Sequence, residues 1–326
     1  MTRFFLPLLA LTAHGTTCAC TIPVFRYALD RWEADKFQLL LPTEAGPETA
    51  DLLRPLRANG KANLTIQAVP GVEGEAVLRF PSRQEIWRGR LNAASLAALL
   101  DSPGRRRIVE RVLAGDSVLW VVCGGEADTE RIGKRLRFLE QVAALPIQDP
   151  NDPDSRLGPG PPLLLKFTTL RLEQDDPAEK LLRRMLAGPR AEFDAEKTPF
   201  AAAVFGRGRV LGAWPLAELD DQALEEASMF LIGRCSCRVK DQNPGWDLLL
   251  NVDWDQALKK AGQNVAAAPP ESAPPQAPET VVTASKTSEP QVFVINQFVP
   301  LPWLAGGGAL MLGAAAWLLL RKAPKD

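Results

Sequence analysis

Five cysteines carry most of the chemistry open to this chain: Cys18, Cys20, Cys123, Cys235 and Cys237. Four of them form two Cys-x-Cys pairs, and the fifth closes an apolar run. The pairs permit three kinds of chemistry. In an oxidising compartment, thiols brought together close into disulfides. A bridge from Cys18 or Cys20 to Cys235 or Cys237 would fasten the N-terminus to the far end of the body. Closing a loop of roughly 215 residues stabilises by about 4–5 kcal/mol on chain-entropy grounds. The second chemistry is thiol–disulfide exchange. Cys20 lies just before an expected helix, whose N-terminal dipole lowers a thiol pKa, and a Cys-x-Cys bridge is strained and reducible. The third is a thiolate site for Cu(I) or zinc, which needs Cys18, Cys20, Cys235 and Cys237 reduced and close together. Cys123, on an expected buried strand, is read as an inert thiol.

The remaining composition narrows the classes. The only histidine is His14, so a mature chain cleaved after it has no Ser-His-Asp or Cys-His catalysis and no His-ligated metal. The expectation is a non-enzymatic protein without a cofactor. Net charge is −1, which gives no global basic field for nucleic acid. Arg105-Arg106-Arg107 is the one basic cluster and reads as a solvated face. Asp175-Asp176 and Asp220-Asp221 stand at helix starts and read as caps. Gly206-Arg-Gly-Arg209 reads as a tight hairpin turn, and Asp149 to Asp154 as a solvated loop.

Both ends of the chain suggest an address. Arg3 followed by Phe4 to Leu11 reads as a secretory signal over residues 1–15, with Ala13-His14-Gly15 as the cleavage site. Acylation of Cys18 or Cys20 is a rival; neither has leucine three residues before it. Leu301 to Leu320 is a run of twenty residues without a charge, enough to span about 30 Å of hydrocarbon. Trp303 and Trp317 lie near its ends, and Arg321, Lys322 and Lys325 follow. The positive-inside rule puts residues 321–326 in the cytoplasm and the body on the periplasmic or extracellular side. A sorting signal that is later removed would carry the same pattern. Between body and span, residues 263–300 read as a Pro/Ala/Ser-rich linker. The expected partners are the membrane, through Leu301–Leu320, and an envelope protein or ligand.

The body reads as α/β, in two units over residues 16–116 and 117–262. In the first, Pro23 opens a helix, Phe37 to Leu41 is a strand, and Pro47 to Ala58 is a helix with Ala50, Leu53 and Leu56 inward. Asn63 to Val69 is a strand, Ala76 to Phe80 and Glu85 to Leu91 are a hairpin, and Asn92 and Ser102 start helices. In the second, Ser117 to Cys123 is a strand covered on both faces. Asp128 opens a helix, Leu163 to Leu172 is a strand, and Asp176-Pro177 opens another helix. Phe200 to Phe205 and Arg209 to Trp214 form a hairpin, with Asp220 or Asp221 capping the helix after it. Asn243-Pro244-Gly245 is a turn, Trp246 to Val252 an alternating strand, and Asp253 to Ala261 a helix ended by Gly262.

The pattern over Ser117 to Gly233 resembles the thioredoxin superfamily, and the first unit repeats it, most closely in its hairpin and following helix. The resemblance implies tandem β-α-β…β-β-α units and a cis Pro199 facing an active site. It also places a reactive cysteine just after the first strand. Cys123-Gly-Gly-Glu-Ala-Asp128 stands there with no second cysteine, so redox activity does not carry over with the fold. Cys20-x-Ile-Pro-Val-Phe-Arg-Tyr-Ala-Leu-x-Arg-Trp32, with Cys235-Ser-Cys237 and Asn243-Pro-Gly245, resembles a group of exported bacterial proteins with a C-terminal membrane segment. That second resemblance implies an address and no activity.

Overall fold

The computed structural model describes residues 21–267, apart from 45, 71–73, 149–151 and 236–238. The expected signal peptide, most of the linker, the membrane helix and the basic tail lie outside the described residues, as do Cys18, Cys20 and Cys237. Among the described residues no helix is long and apolar enough to cross a membrane. All of them fall within one compact unit that ends at Glu271.

The protein is α/β, with two mixed sheets. Helix α1 (Val24–Arg31) starts directly after Pro23 and is followed by β1 (Phe37–Pro42), α2 (Pro47–Asn59) and β2 (Leu64–Val69). Then come β3 (Ala76–Arg79), β4 (Glu85–Gly89), α3 (Ala93–Leu100) and α4 (Pro103–Leu113). Asn92 caps α3 in a reciprocal box with Ser95, and Ser102 caps α4. The first sheet has the order β2-β1-β3-β4, with β1 and β2 parallel and the rest antiparallel.

The second sheet repeats this arrangement. It is built from β5 (Val118–Cys123), α5 (Glu126–Val142), β6 (Phe167–Leu172), α6 (Lys180–Ala187), β7 (Phe200–Phe205), β8 (Arg209–Pro215) and α7 (Asp221–Ile232). A short β9 (Trp246–Asp247) adds to the edge, giving the order β6-β5-β7-β8-β9, and α8 (Trp254–Ala267) follows. The pairing directions match the first sheet: β5 and β6 are parallel, the rest antiparallel. One helix differs. The second unit places α6 between its second and third strands; the first has none there among the described residues.

The apolar run of β5 is explained by burial on both sides. Val118, Trp120 and Val122 pack with α1, α5 and α7, while Leu119, Val121 and Cys123 face a second cluster. That second cluster also holds Phe37, Leu39 and Leu78 of the first sheet, so the two sheets share one core. The sequence halves interleave across the expected boundary at residues 116/117. Helix α1 packs on α7 and β7, and Asn251 bridges back to Ala62 beside β2.

Several elements differ from expectation. The Thr198–Pro199 bond is trans, not cis. A turn closed by Thr198 N–H donating to Asp194 O (2.8 Å) delivers the chain to β7, and trans is the lower-energy form unless packing demands otherwise. Trp246 to Val252 does not alternate: Leu248, Leu249 and Leu250 are all buried where the chain crosses between the sheets. The Asn63 amide steers that crossing, donating to Leu248 O (3.0 Å) and accepting from Leu250 N–H (2.9 Å). Arg105 is buried, not solvated; it donates to Ala98 O (3.1 Å) and lies against Met185. Only Arg106 and Arg107 face solvent. Ala50 is exposed, α5 starts at Glu126, β6 starts at Phe167, and α8 runs through Gly262, which packs against the Gly160 backbone.

Candidate functional site

The place that the thioredoxin resemblance assigns to a reactive cysteine is sealed. Cys123 is the last residue of β5, paired with Leu172 on one side and Phe200 on the other. Burial pushes its thiol up to about 12, against the opposing effect of the Arg183 guanidinium beside it. The thiolate is therefore scarce at neutral pH, and with it nucleophilic reactivity. Gly124 follows, and a side chain there would meet Leu216 at 2.5 Å. Leu216 N–H in turn donates to Pro199 O (2.9 Å). Leu216 is thereby held against the chain that directly follows Cys123.

Cys235 is the one other cysteine among the described residues, and it lies at a seam with the N-terminal chain. Pro23 and Arg234 form an antiparallel bridge, Cys235 N–H donates to Ile22 O (3.0 Å), and Val24 N–H donates to Gly233 O (3.0 Å). The buried Cys235 thus lies beside the chain that directly follows Cys20. The partners Cys18, Cys20 and Cys237 are outside the described residues, so their sulfur chemistry stays as an expectation. Among the described residues no group of three or more His, Cys, Asp or Glu is placed to hold a metal.

An open cleft of about 910 Å³, lined by aromatic side chains, lies at the outer edge of the second sheet. Its floor is the β8 segment Gly212–Pro215. One wall is the β3–β4 turn, Phe80 to Ser82, and another is the chain after α6, from Ala187 to Phe193. Asp241 to Asp247 closes the third side. The volume falls in the range of small-molecule and peptide pockets. A hollow of about 1010 Å³ at the start of α2 is as large, but its described lining holds no aromatic side chain.

Two tryptophans shape the cleft. Trp214 packs on Trp120 with ring centroids 5.5 Å apart and joins the cluster under α5 and α7. Trp246 packs on the opposite face of the sheet, where its indole N–H donates to Met185 O (2.8 Å). Gly188 makes room for it: its φ is +90°, and a Cβ there would lie 2.4 Å from the Trp246 ring.

A buried ionic group braces the floor. Asp247 is 3% exposed and accepts from Asp35 N–H (2.6 Å), from Arg209 (3.3 Å) and from Lys240. Lys240 also reaches Asp35 (2.8 Å) and Glu33 O (2.6 Å). Arg209 donates to the carbonyls of Asn243 (3.0 Å), Pro244 (3.3 Å) and Gly245 (3.1 Å) and lies over the Trp32 ring. Each charge in this group has partners, as burial requires. The exposed carboxylates Glu192, Glu218 and Asp241 also line the cleft and make no ion pair among the described residues. Arg190 is the one cation in the described lining.

Sequence reasoning did not find this cleft. Its walls come from residues 35 to 247, and no spacing within one segment announces them. Trp214-Pro215 and Gly245-Trp246, each at the end of a strand, were the available signal. No protein-family model matches the chain, and neither curated proteins nor solved structures include one significantly similar to it.

Proposed function

We propose that this is an exported envelope protein, anchored by Leu301–Leu320, whose tandem thioredoxin-like units act as a non-enzymatic binding module. The strand order, second-first-third-fourth in both sheets, with only the first pair parallel, supports the thioredoxin-like reading. The observation that carries the functional part is the contrast between two places: Cys123 is sealed with its thiol pushed up to about 12, while the aromatic cleft stands open. In this reading the Cys-x-Cys pairs staple the N-terminus to the body, next to the Ile22–Cys235 hydrogen bond.

A second reading uses Cys18, Cys20, Cys235 and Cys237 for thiol–disulfide exchange or for a soft metal. The Pro23–Arg234 bridge favours it to the same extent, because it brings the flanks of both pairs together. Thiol mapping of the full chain, alkylated in a graded series of redox buffers, separates the two. Bridges that open only with unfolding are the expected result. A pair that opens at mild potential while the fold persists, or that retains zinc or Cu(I) when reduced, would replace the binding reading.

A further inference from the structure

We propose that the cleft takes an extended, basic peptide segment as an added strand on the open edge of β8; this rests on the cleft being the binding site.

The first support is the edge itself. Strand β9 pairs only with Arg209 and Val210. Beyond them, Gly245 packs against the Val210–Leu211 backbone, and Pro215 has no N–H and a carbonyl that already accepts from Glu218 and Leu219 N–H, so Gly212 to Trp214 is the stretch of β8 that lines the cleft with no outer strand partner among the described residues. Three residues at about 3.3 Å each give a run of about 10 Å, room to pair a strand of about three residues. Unpaired backbone groups on such an edge are a template for another strand.

The edge is left open by an identifiable device. A continued β9 would run from Trp246 back through Gly245, Pro244 and Asn243. Gly245 instead adopts φ +108°, a value that favours glycine, and Pro244 has no N–H to give to a ladder. Arg209 then holds all three carbonyls of this turn. Gly245 itself packs against the Val210–Leu211 backbone, the ladder goes no further, and Gly212 to Trp214 is left without a strand beside it among the described residues.

The slot has walls on both faces. A strand presents alternate side chains to opposite sides of its sheet. On one side an added strand would meet Trp214; on the other, Trp246 and Phe193. The charge of the rim selects the peptide. Glu192, Glu218 and Asp241 have no ion pair among the described residues and face a single cation, Arg190. Lysine or arginine side chains would meet carboxylates and indole faces together, an arrangement that suits cation–π contact. A second copy of the chain fits less well, since Leu211-Gly-Ala-Trp-Pro215 brings no charge to this rim.

The test uses the full chain in mild detergent and fluorescein-labelled decapeptides read by anisotropy. One alternates valine and lysine, and one alternates valine and glutamate. Two more are the lysine peptide N-methylated either at every valine or at every lysine. The lysine peptide is expected to bind at least about tenfold more tightly than the glutamate peptide. One N-methylation pattern should cost about tenfold and the other little, because only one edge of a strand faces its neighbour. The paired substitutions Glu218→Lys and Asp241→Lys, both on exposed side chains, should weaken binding by about tenfold or more. If charge reversal weakens binding but neither methylation does, strand addition is wrong and the cleft remains the binding site. If the cleft variants bind every peptide as the parent does, both ideas fall. Equal competition by spermidine would reduce the site to an acidic surface and overturn the proposal. A dimer seen by sedimentation, which the lysine peptide fails to dissociate, would give the edge to a second copy and also overturn it.

Discussion

At the scale of single residues, the Cys123 thiol is the clearest case of an environment deciding chemistry. Burial raises it from 9.0 to about 12. Unfolding returns it to the lower value, so between these pH values the unfolded chain gives up a proton that the folded chain keeps. Stability should therefore fall as pH rises from about 9 towards 12, with no contribution to the slope below that window. Comparison of urea midpoints for the parent and Cys123→Ala across this range isolates the contribution; equal slopes would contradict it. Iodoacetamide at pH 8 should leave Cys123 unmodified in the native protein. Gly188→Ala forces an L side chain to φ +90° and into the Trp246 ring, and should cost about 2–4 kcal/mol in urea unfolding. Cys123 was legible in the sequence because an unbroken apolar strand buries both faces. Arg105 was not, since a triple-arginine run gives no sign that one member turns inward towards Met185.

At the scale of elements, the hairpins and caps were legible because their signals are local: Asn92 before α3, Ser102-Pro103 before α4, Gly206-Arg-Gly208 between β7 and β8. Strand β9 failed as an expectation because its fate is set from elsewhere. Its alternating leucines were read as one face of a strand, yet Asn63 and Arg209 end the ladder after two residues. Asp247 anchors that arrangement, with Arg209 at 7% side-chain exposure and Lys240 at 13%. Asp247→Ala would leave both cations without their buried counter-charge. A loss of about 3–5 kcal/mol is expected in urea unfolding. A change under about 1 kcal/mol would show that the ionic group is ornamental to the edge.

At the scale of the whole molecule, the two sheets were legible as a repeat, and their fusion was not. Shared core residues such as Leu39, Leu78, Val121 and Leu182 have no spacing signature, because the contacts are fixed only when the sheets meet. With α1 packed on the second sheet and Asn251 bridged beside the first, the described body should unfold in one cooperative step. Circular dichroism and tryptophan fluorescence should give coincident curves; two separated transitions would restore independent units. The cleft arises from the same fusion, since the β3–β4 turn of one sheet walls the β8 edge of the other. The most direct measurement of its role is hydrogen exchange on the full chain, with and without the alternating valine–lysine peptide. The account predicts slowed exchange along Gly212–Trp214 with the bordering chain at Ala187–Phe193 and Asp241–Asp247, and no change at Leu41–Thr49. Protection confined to the hollow at the start of α2, or none at β8 under saturating peptide, would contradict it.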